Sequence, residues 1–162
     1  MITYIAIDPG AGGGIAVLFG YGGVVCYPMP DTEGDIAARL SGLHYDGAKD
    51  NAPCHAIIEE VGGYIGGAGN PGSAMFKFGR NFGFILGVLA ALEVPTRMVK
   101  PQEWQKGLGL GNSKSHSTKS DWKNHLKGRA QQLYPACTVT LKTADALLIL
   151  QYATWPQISV KP

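Results

Sequence analysis

Short apolar runs alternate with helix-like patterns along this chain, and their order limits the fold more than any other feature of the sequence. Strand-like runs lie at residues 2–7, 14–19, 24–27, 56–61 and 96–99. With the helical patterns between them, the predicted order is β-β-β-α-β-α-β-α-α-α. This order predicts an α/β domain whose five-stranded mixed sheet is flanked by helices.

The predicted helices begin at recognisable capping residues. Asp31 or Thr32 can cap the first helix, and Ser73 can cap the long second one. Pro101 opens a short third helix at its first turn. The first and second helices are predicted over residues 31–40 and 73–92, and the fourth and fifth over 119–134 and 143–155. The connections at residues 41–54, 62–72 and 107–120 are predicted to be loops, and the second of them is rich in glycine.

Size and composition fit one folded domain. A chain of 162 residues suits a single core, so we expect one domain over residues 1–162. A hydrophobic share of 45% and a charged share of 16% exclude a wholly disordered chain. The apolar run Phe82–Leu92 is too short to span a bilayer, and no segment resembles a signal peptide. We therefore expect a cytoplasmic protein without a membrane partner.

The three cysteines, Cys26, Cys54 and Cys137, are scattered and form no CxxC motif. Neither a zinc site nor a disulfide framework is predicted from this spacing, and a reducing compartment fits it.

Carboxylates with apolar neighbours stand out at three places. Asp8 ends the first strand, Glu59 and Glu60 end the fourth, and Asp145 precedes an apolar helical run. An isolated charge in such surroundings is costly unless it is paired or binds a metal. Carboxylates at the same end of neighbouring strands can share one cation, and oxygen ligands select Mg²⁺ or Mn²⁺. Adjacent strand residues point to opposite sides of a sheet, so either Glu59 or Glu60 faces the site, and periodicity does not choose between them.

Charge is unevenly distributed along the chain. Residues 1–72 carry a net charge of −6, whereas residues 73–142 carry +8. An acidic part beside a basic part is what a metal site next to a polyanion-binding surface requires. Two solvated surfaces of opposite sign are the alternative interpretation.

Three segments resemble the motifs of one known family. The runs Ile7–Gly10, Ile58–Val61 and Thr143–Leu147 are similar, in order and spacing, to those of the RuvC family of Holliday junction resolvases. The match extends from residue 2 to about residue 154. The resemblance implies an RNase H-like fold, a homodimer and a metal-dependent endonuclease that cleaves four-way DNA junctions during recombination and repair. A compact chain without organelle targeting fits a bacterial or bacteriophage member of such a family.

The resemblance also assigns the site residues. It implies that Asp8, Glu59 rather than Glu60, and Asp145 hold two Mg²⁺ ions, for which Mn²⁺ can substitute. In that chemistry one ion activates water and the other stabilises the leaving oxygen.

Two positions depart from the family pattern. Lys142 stands where the family carries a fourth acidic or histidine ligand, three residues before Asp145, and an ammonium group cannot ligate metal. We expect Lys142 to contact the scissile phosphate or to orient water; a bystander role and an inactivated enzyme are the alternatives. Gly62 replaces the aromatic residue that the family inserts into the junction, and Tyr64 could stack on a base instead, or be an ordinary loop residue.

Basic residues after the fifth strand are expected to bind the DNA backbone. By position, Lys106 and Lys119 match the family's lysines best, Lys114 is an alternative, and Lys123 extends the same positive surface. Phosphate contacts give affinity and salt dependence without sequence readout.

Three glycines recur at helical spacing on the long second helix: Gly79, Gly83 and Gly87. Glycine costs helix stability, so the stripe suggests close approach of another backbone. The helix of a dimer partner and the chain's own sheet are the two candidates.

Other functions compete with junction cleavage. The start of the chain, with Asp8, Gly10 and glycines at 12–14, also resembles the phosphate loops of actin-like and sugar kinases, but these need a second domain for which the chain has no room. The absence of GxxxxGK(S/T) excludes a P-loop. A broader structure-selective nuclease for branched DNA and a junction-binding protein without activity stay open.

Overall fold

The computed structural model describes residues 1–49, 52–60 and 72–154. Its strands are β1 (Thr3–Asp8), β2 (Gly14–Leu18), β3 (Val24–Pro28), β4 (Cys54–Glu59) and β5 (Thr96–Val99). Its helices are α1 (Glu33–Lys49), α2 (Gly72–Ala91), α3 (Pro101–Gly107), α4 (Lys119–Leu133) and α5 (Ala144–Thr154), with a 3₁₀ turn at Ser113–Ser115. The predicted order of strands and helices is confirmed, as is the mixed five-stranded sheet.

The sheet has the strand order β3-β2-β1-β4-β5, with β1 at its centre. The pairs β1–β2 and β2–β3 are antiparallel, whereas β1–β4 and β4–β5 are parallel. In the β1–β4 register Ile7 lies opposite Ile58, so Asp8 and Glu59 follow at the same edge. The topology therefore brings the ends of two apolar runs together.

Each face of the sheet has its own core. Helices α3, α4 and α5 pack on the face that carries Ala6 and Ile57. Helices α1 and α2 pack on the opposite face, which carries Ile5, Ile7 and Ile58. Because strand side chains alternate between faces, Asp8 shares the α5 face with Ala6, and Glu59 shares it with Ile57.

The first helix is longer than the sequence indicated. The prediction of a helix ending near Leu40 and a loop over residues 41–54 is wrong, because α1 continues to Lys49. Leu43 and Gly47 are buried on its inner side, and the backbone of Gly47 lies against the Thr3 side chain. Packing against the sheet stabilises a segment that had been predicted as a loop.

Helix α2 is largely uncovered by the described residues. Only Ile85 and Leu89 are buried on it. A Cβ built on Gly79, Gly83 or Gly87 would meet no atom of the described residues within 4 Å, so the sheet, all of whose strands are described, does not explain the glycine stripe. The full helix α2 is long and apolar enough to cross a membrane, by length and composition alone. The shorter run Phe82–Leu92 had been judged too short to do so.

A tight contact positions the start of α5 against the sheet. A Cβ on Gly14 of β2 would lie 2.6 Å from the Tyr27 carbonyl oxygen and 2.7 Å from that of Lys142. Both neighbours are backbone atoms, which cannot move without shifting β3 or the turn before α5. Gly14 therefore lets that turn approach the sheet closely.

We predict that Gly14→Ala lowers the free energy of unfolding by roughly 2–3 kcal/mol, because the added methyl overpacks a backbone contact. Gly12→Ala is the matched control, since a Cβ there would meet nothing within 4 Å. Urea denaturation of both variants measures the difference. Equal stability of the two would contradict the close contact.

Candidate active site

The turn after β1 encloses the Asp8 carboxyl group. The Gly10 N–H donates to Asp8 Oδ1 at 3.5 Å, and the Gly13 N–H donates to the Gly10 carbonyl at 2.8 Å. A Cβ on Gly13 would lie 2.7 Å from Asp8 Oδ2, so only glycine fits there. The Asn81 side chain of α2 donates to the Pro9 carbonyl and holds the turn from the other face of the sheet.

Glu59 is held by a buried tryptophan. The Trp104 Nε1–H of α3 donates to Glu59 Oε2 at 2.8 Å, and Trp104 is fully buried. A buried indole N–H requires an acceptor, and Glu59 supplies it. Glu60 instead uses its backbone N–H to bond the Val99 carbonyl, which extends the β4–β5 pairing. The geometry thus brings Glu59, not Glu60, to Asp8.

Asp145 is a buried carboxylate on a helix that is otherwise apolar. All residues from Ala144 to Leu150 are buried, and Asp145 is only 6% exposed. The Lys123 ammonium of α4 donates to Asp145 Oδ2. Asp145 Oδ1 is buried and has no hydrogen-bond partner among the described residues. One oxygen of this carboxylate is therefore left without compensation.

Burial and neighbouring carboxylates raise the pKa values of Asp8 and Glu59. Burial, and next the charge of Asp145, raise the pKa of Asp8 to about 6, against the opposing influence of Lys123 and the Gly10 N–H. Burial, and next the charge of Asp8, raise the pKa of Glu59 to about 7, although the Trp104 hydrogen bond lowers it. Burial alone would lower the pKa of Lys123, but Asp145, Asp8 and Glu59 outweigh it and the net pKa is raised. Lys123 thus stays protonated beside the carboxylates.

The fold has solved counterparts, although neither a protein-family model nor a curated protein sequence matches the chain. Thermus thermophilus RuvC superposes with a TM-score of 0.58 at 18% identity, over 93% of this chain and 92% of that one. T. thermophilus RuvC in complex with a Holliday junction substrate superposes with a TM-score of 0.53 at 16% identity, over 94% and 92%. The chain has a RuvC-like fold. At these identities the likeness shows the fold alone.

Within this RuvC-like fold, the chemistry of the carboxylates fits a hard divalent cation. Three carboxylates, one with an unpartnered buried oxygen, offer the oxygen ligands that Mg²⁺ and Mn²⁺ prefer. Across the described ranges, however, no three His, Cys, Asp or Glu side chains are grouped as a ready metal site. The Lys123 ammonium provides the positive charge at Asp145 instead.

The spacing predicted that Lys142 and Asp145 share a helical face. They do not, because α5 begins only at Ala144. Its side chain lines a cavity of about 700 Å³ together with Tyr27 and Arg39 of the β3–α1 region. Lys123 is the lysine that contacts the carboxylates, although the sequence suggested it only as a DNA contact.

The other predicted contacts are spread along the surface after β5. Lys106 is exposed in the last turn of α3, Lys114 in the 3₁₀ turn and Lys119 at the start of α4. Tyr64 lies outside the described residues. Trp104 was not predicted as a site residue; the signal that could have found it is a tryptophan in a short polar helix, whose N–H needs a polar partner when it is buried.

We predict that the metal-free protein loses stability as pH rises from about 4 to about 7. The folded-state pKa values of Asp8 and Glu59 are raised above the ordinary 3.8 and 4.5, so the folded chain holds more protons than the unfolded chain in this range. Stability falls with pH wherever the folded state binds more protons. Glu59→Gln removes one of these costs and should raise the free energy of unfolding at pH 8 by roughly 1–3 kcal/mol.

The matched control for this prediction is Glu60→Gln, which changes the neighbouring glutamate outside the carboxylate group and should alter stability by less than about 0.5 kcal/mol. Urea denaturation in a chelating buffer at pH 5 and pH 8 measures both variants. If the free energy of unfolding of the unaltered protein rises from pH 5 to pH 8, the raised pKa values are wrong.

Proposed function

We propose that this protein is a Holliday junction resolvase, a metal-dependent endonuclease that hydrolyses phosphodiester bonds symmetrically in four-way DNA junctions. One observation carries the proposal. Asp8, Glu59 and Asp145, remote in sequence, are electrostatically coupled at one edge of a RuvC-like sheet. Raised pKa values at Asp8 and Glu59, beside the buried carboxylate of Asp145, support a site that binds divalent cations.

Asp8, Glu59 and Asp145 would hold the divalent ions, Mg²⁺ or Mn²⁺, with two ions per site. When bound, such ions supply an activated water and stabilise the leaving oxygen. Asp145 Oδ1 is available to a cation without breaking any contact among the described residues. The turn at Gly13 and the indole of Trp104 orient the other two carboxylates.

Lys123 takes the role first expected of Lys142. Its side chain is 48% exposed, so the ammonium can reach both Asp145 and a ligand at the surface. A protonated lysine cannot ligate metal, but it can bind a phosphate oxygen. We propose that Lys123 contacts the scissile phosphate and that its present pairing neutralises part of the carboxylate charge.

The surface beyond the carboxylates suits a DNA backbone. Lys106, Lys114 and Lys119 are exposed along α3, the 3₁₀ turn and α4, on the side of the sheet that carries the carboxylates. T. thermophilus RuvC has been solved in complex with a Holliday junction substrate, which supports branched DNA as the ligand class for this fold. We also propose that Tyr64 stacks on a junction base.

Two features support a homodimer: the two-fold symmetry of a four-way junction and the exposed side of α2. Phe76 is 69% exposed on that helix, and the stripe of Gly79, Gly83 and Gly87 leaves space for a second backbone. A two-fold enzyme presents two equivalent sites to a two-fold junction. We propose that α2 forms the dimer interface of this resolvase.

A junction-binding protein without activity is the second candidate. The pairing of Lys123 with Asp145 favours it, because a lysine occupies a carboxylate that a metal ion would need. A broader structure-selective nuclease differs from a resolvase only in its substrates, and cleavage of flaps and forks as readily as junctions identifies it.

We predict that the protein nicks a synthetic four-way junction at symmetrically placed positions in Mg²⁺ or Mn²⁺. Asp145→Asn should lower the cleavage rate by at least about 100-fold, because it removes an anionic ligand, while junction binding persists. Glu60→Gln is the control and should cleave at the normal rate. End-labelled strands on a sequencing gel map the nicks, and binding without cleavage in either metal overturns the enzymatic assignment.

A separate prediction distinguishes the two lysines. Lys123→Met should lower the single-turnover cleavage rate by roughly 100-fold, because it removes the charge proposed at the scissile phosphate. Junction binding in a gel-shift assay should change by less than about threefold, since many phosphate contacts remain. Lys142→Met should leave the rate near normal. If Lys142→Met is the more impaired variant, the assignment to Lys123 is wrong.

A further inference from the structure

Two of the three cysteines meet where the edge strand β3 packs against the connection between α4 and α5. The Cys26 Sγ–H of β3 donates to the Thr138 carbonyl at 3.8 Å. The Cys137 Sγ–H donates to the Val24 carbonyl, also at 3.8 Å. Each thiol thus contacts the backbone beside the other cysteine, although the two are more than a hundred positions apart in the chain.

Cys26 also lies close enough to Cys137 to affect its protonation. Burial raises the pKa of Cys137, and next the charge and the hydrogen bond of Cys26 raise it further. The sequence had suggested only scattered cysteines, because nothing in their spacing shows that β3 and the residues after α4 become neighbours.

The third thiol serves a different part of the fold. Cys54 on β4 is 7% exposed and packs in the core under α1 and α2. Cys26 and Cys137 are half-buried and pack against the core on the opposite face of the sheet. Only the latter two are placed to react with each other and with a small reagent from solvent.

We propose that Cys26 and Cys137 form a redox site, in which a peroxide-class oxidant converts the two thiols into an intramolecular disulfide. A thiolate attacks the peroxide O–O bond, which gives a sulfenic acid and releases hydroxide. The second thiolate then attacks that sulfur and displaces hydroxide, so that one S–S bond replaces two S–H bonds. The two thiols lose two electrons and two protons in total, and hydrogen peroxide is reduced to two molecules of water.

This cross-link would tie an edge strand to the segment that leads into α5. It closes a loop of about a hundred residues, a length for which constraint of the unfolded chain is large. The oxidised protein should therefore unfold at a higher temperature than the reduced protein, by roughly 5–10 °C. An accessible disulfide is reducible by dithiols, so the change should reverse.

The test treats the folded, reduced full-length chain with hydrogen peroxide and digests it without reduction. We expect a loss of two hydrogen atoms per chain, a Cys26 peptide linked to a Cys137 peptide, and Cys54 as a free thiol. The rate should increase between pH 7 and pH 9, because the thiolate is the attacking form. Sulfinic acids at both positions, links between chains, or links to Cys54 would overturn the proposal.

Variants separate the link from general oxidation. Cys26→Ala and Cys137→Ala should each abolish the cross-link and the rise in the unfolding temperature, whereas Cys54→Ala should retain both. Because the peptide map is read on the unaltered protein, the proposal stays testable even if a variant fails to fold. None of these measurements involves DNA, so the outcome is independent of junction cleavage.

Discussion

The parallel pairing of β1 with β4 is the constraint on which the site depends. It places the ends of two apolar strands at one edge, so that Asp8 and Glu59 follow Ile7 and Ile58 on the same face of the sheet. Helix α5 packs on that face with seven consecutive buried residues, and the second of them is Asp145. Three carboxylates are thereby forced into a region that offers them little water.

Such a cluster opposes folding unless positive charge compensates it. The raised pKa values of Asp8 and Glu59 express this cost, and the pairing of Asp145 with Lys123 offsets part of it. A fold that only needed stability would replace these residues by apolar ones of similar size. The electrostatic cost is concentrated at one sheet edge, beside Asp145 Oδ1, which has no hydrogen-bond partner among the described residues. This concentration is a physical reason to place function there.

The sequence predicted the parts of this arrangement that depend on local pattern. Asp8 and the pair Glu59 and Glu60 were predicted because each ends an apolar run, and the order of elements followed from their alternation. The choice of Glu59 over Glu60 came from the resemblance to the RuvC family and not from periodicity. Lys123 was predicted only as a DNA contact and Trp104 was not predicted at all, because their contacts with Asp145 and Glu59 join segments that are 22 and 45 positions apart. Lys142 was misplaced for a local reason: helical spacing was applied to a residue that lies before the first turn of α5.

The two faces of the sheet also differ in how completely they are covered. On one face α5 is almost wholly buried, which leaves its carboxylate no freedom to leave the site. On the other face α2 buries only Ile85 and Leu89, although it is the longest apolar helix in the described part of the chain. Among the described residues this apolar helix is largely uncovered, and monomeric soluble proteins rarely expose large contiguous apolar patches. Asn81 of α2 donates to the turn that holds Asp8, so a partner that packed against α2 at Asn81 would lie close to the carboxylate site. Assembly through α2 would therefore couple the position of Asp8 to the presence of a second chain.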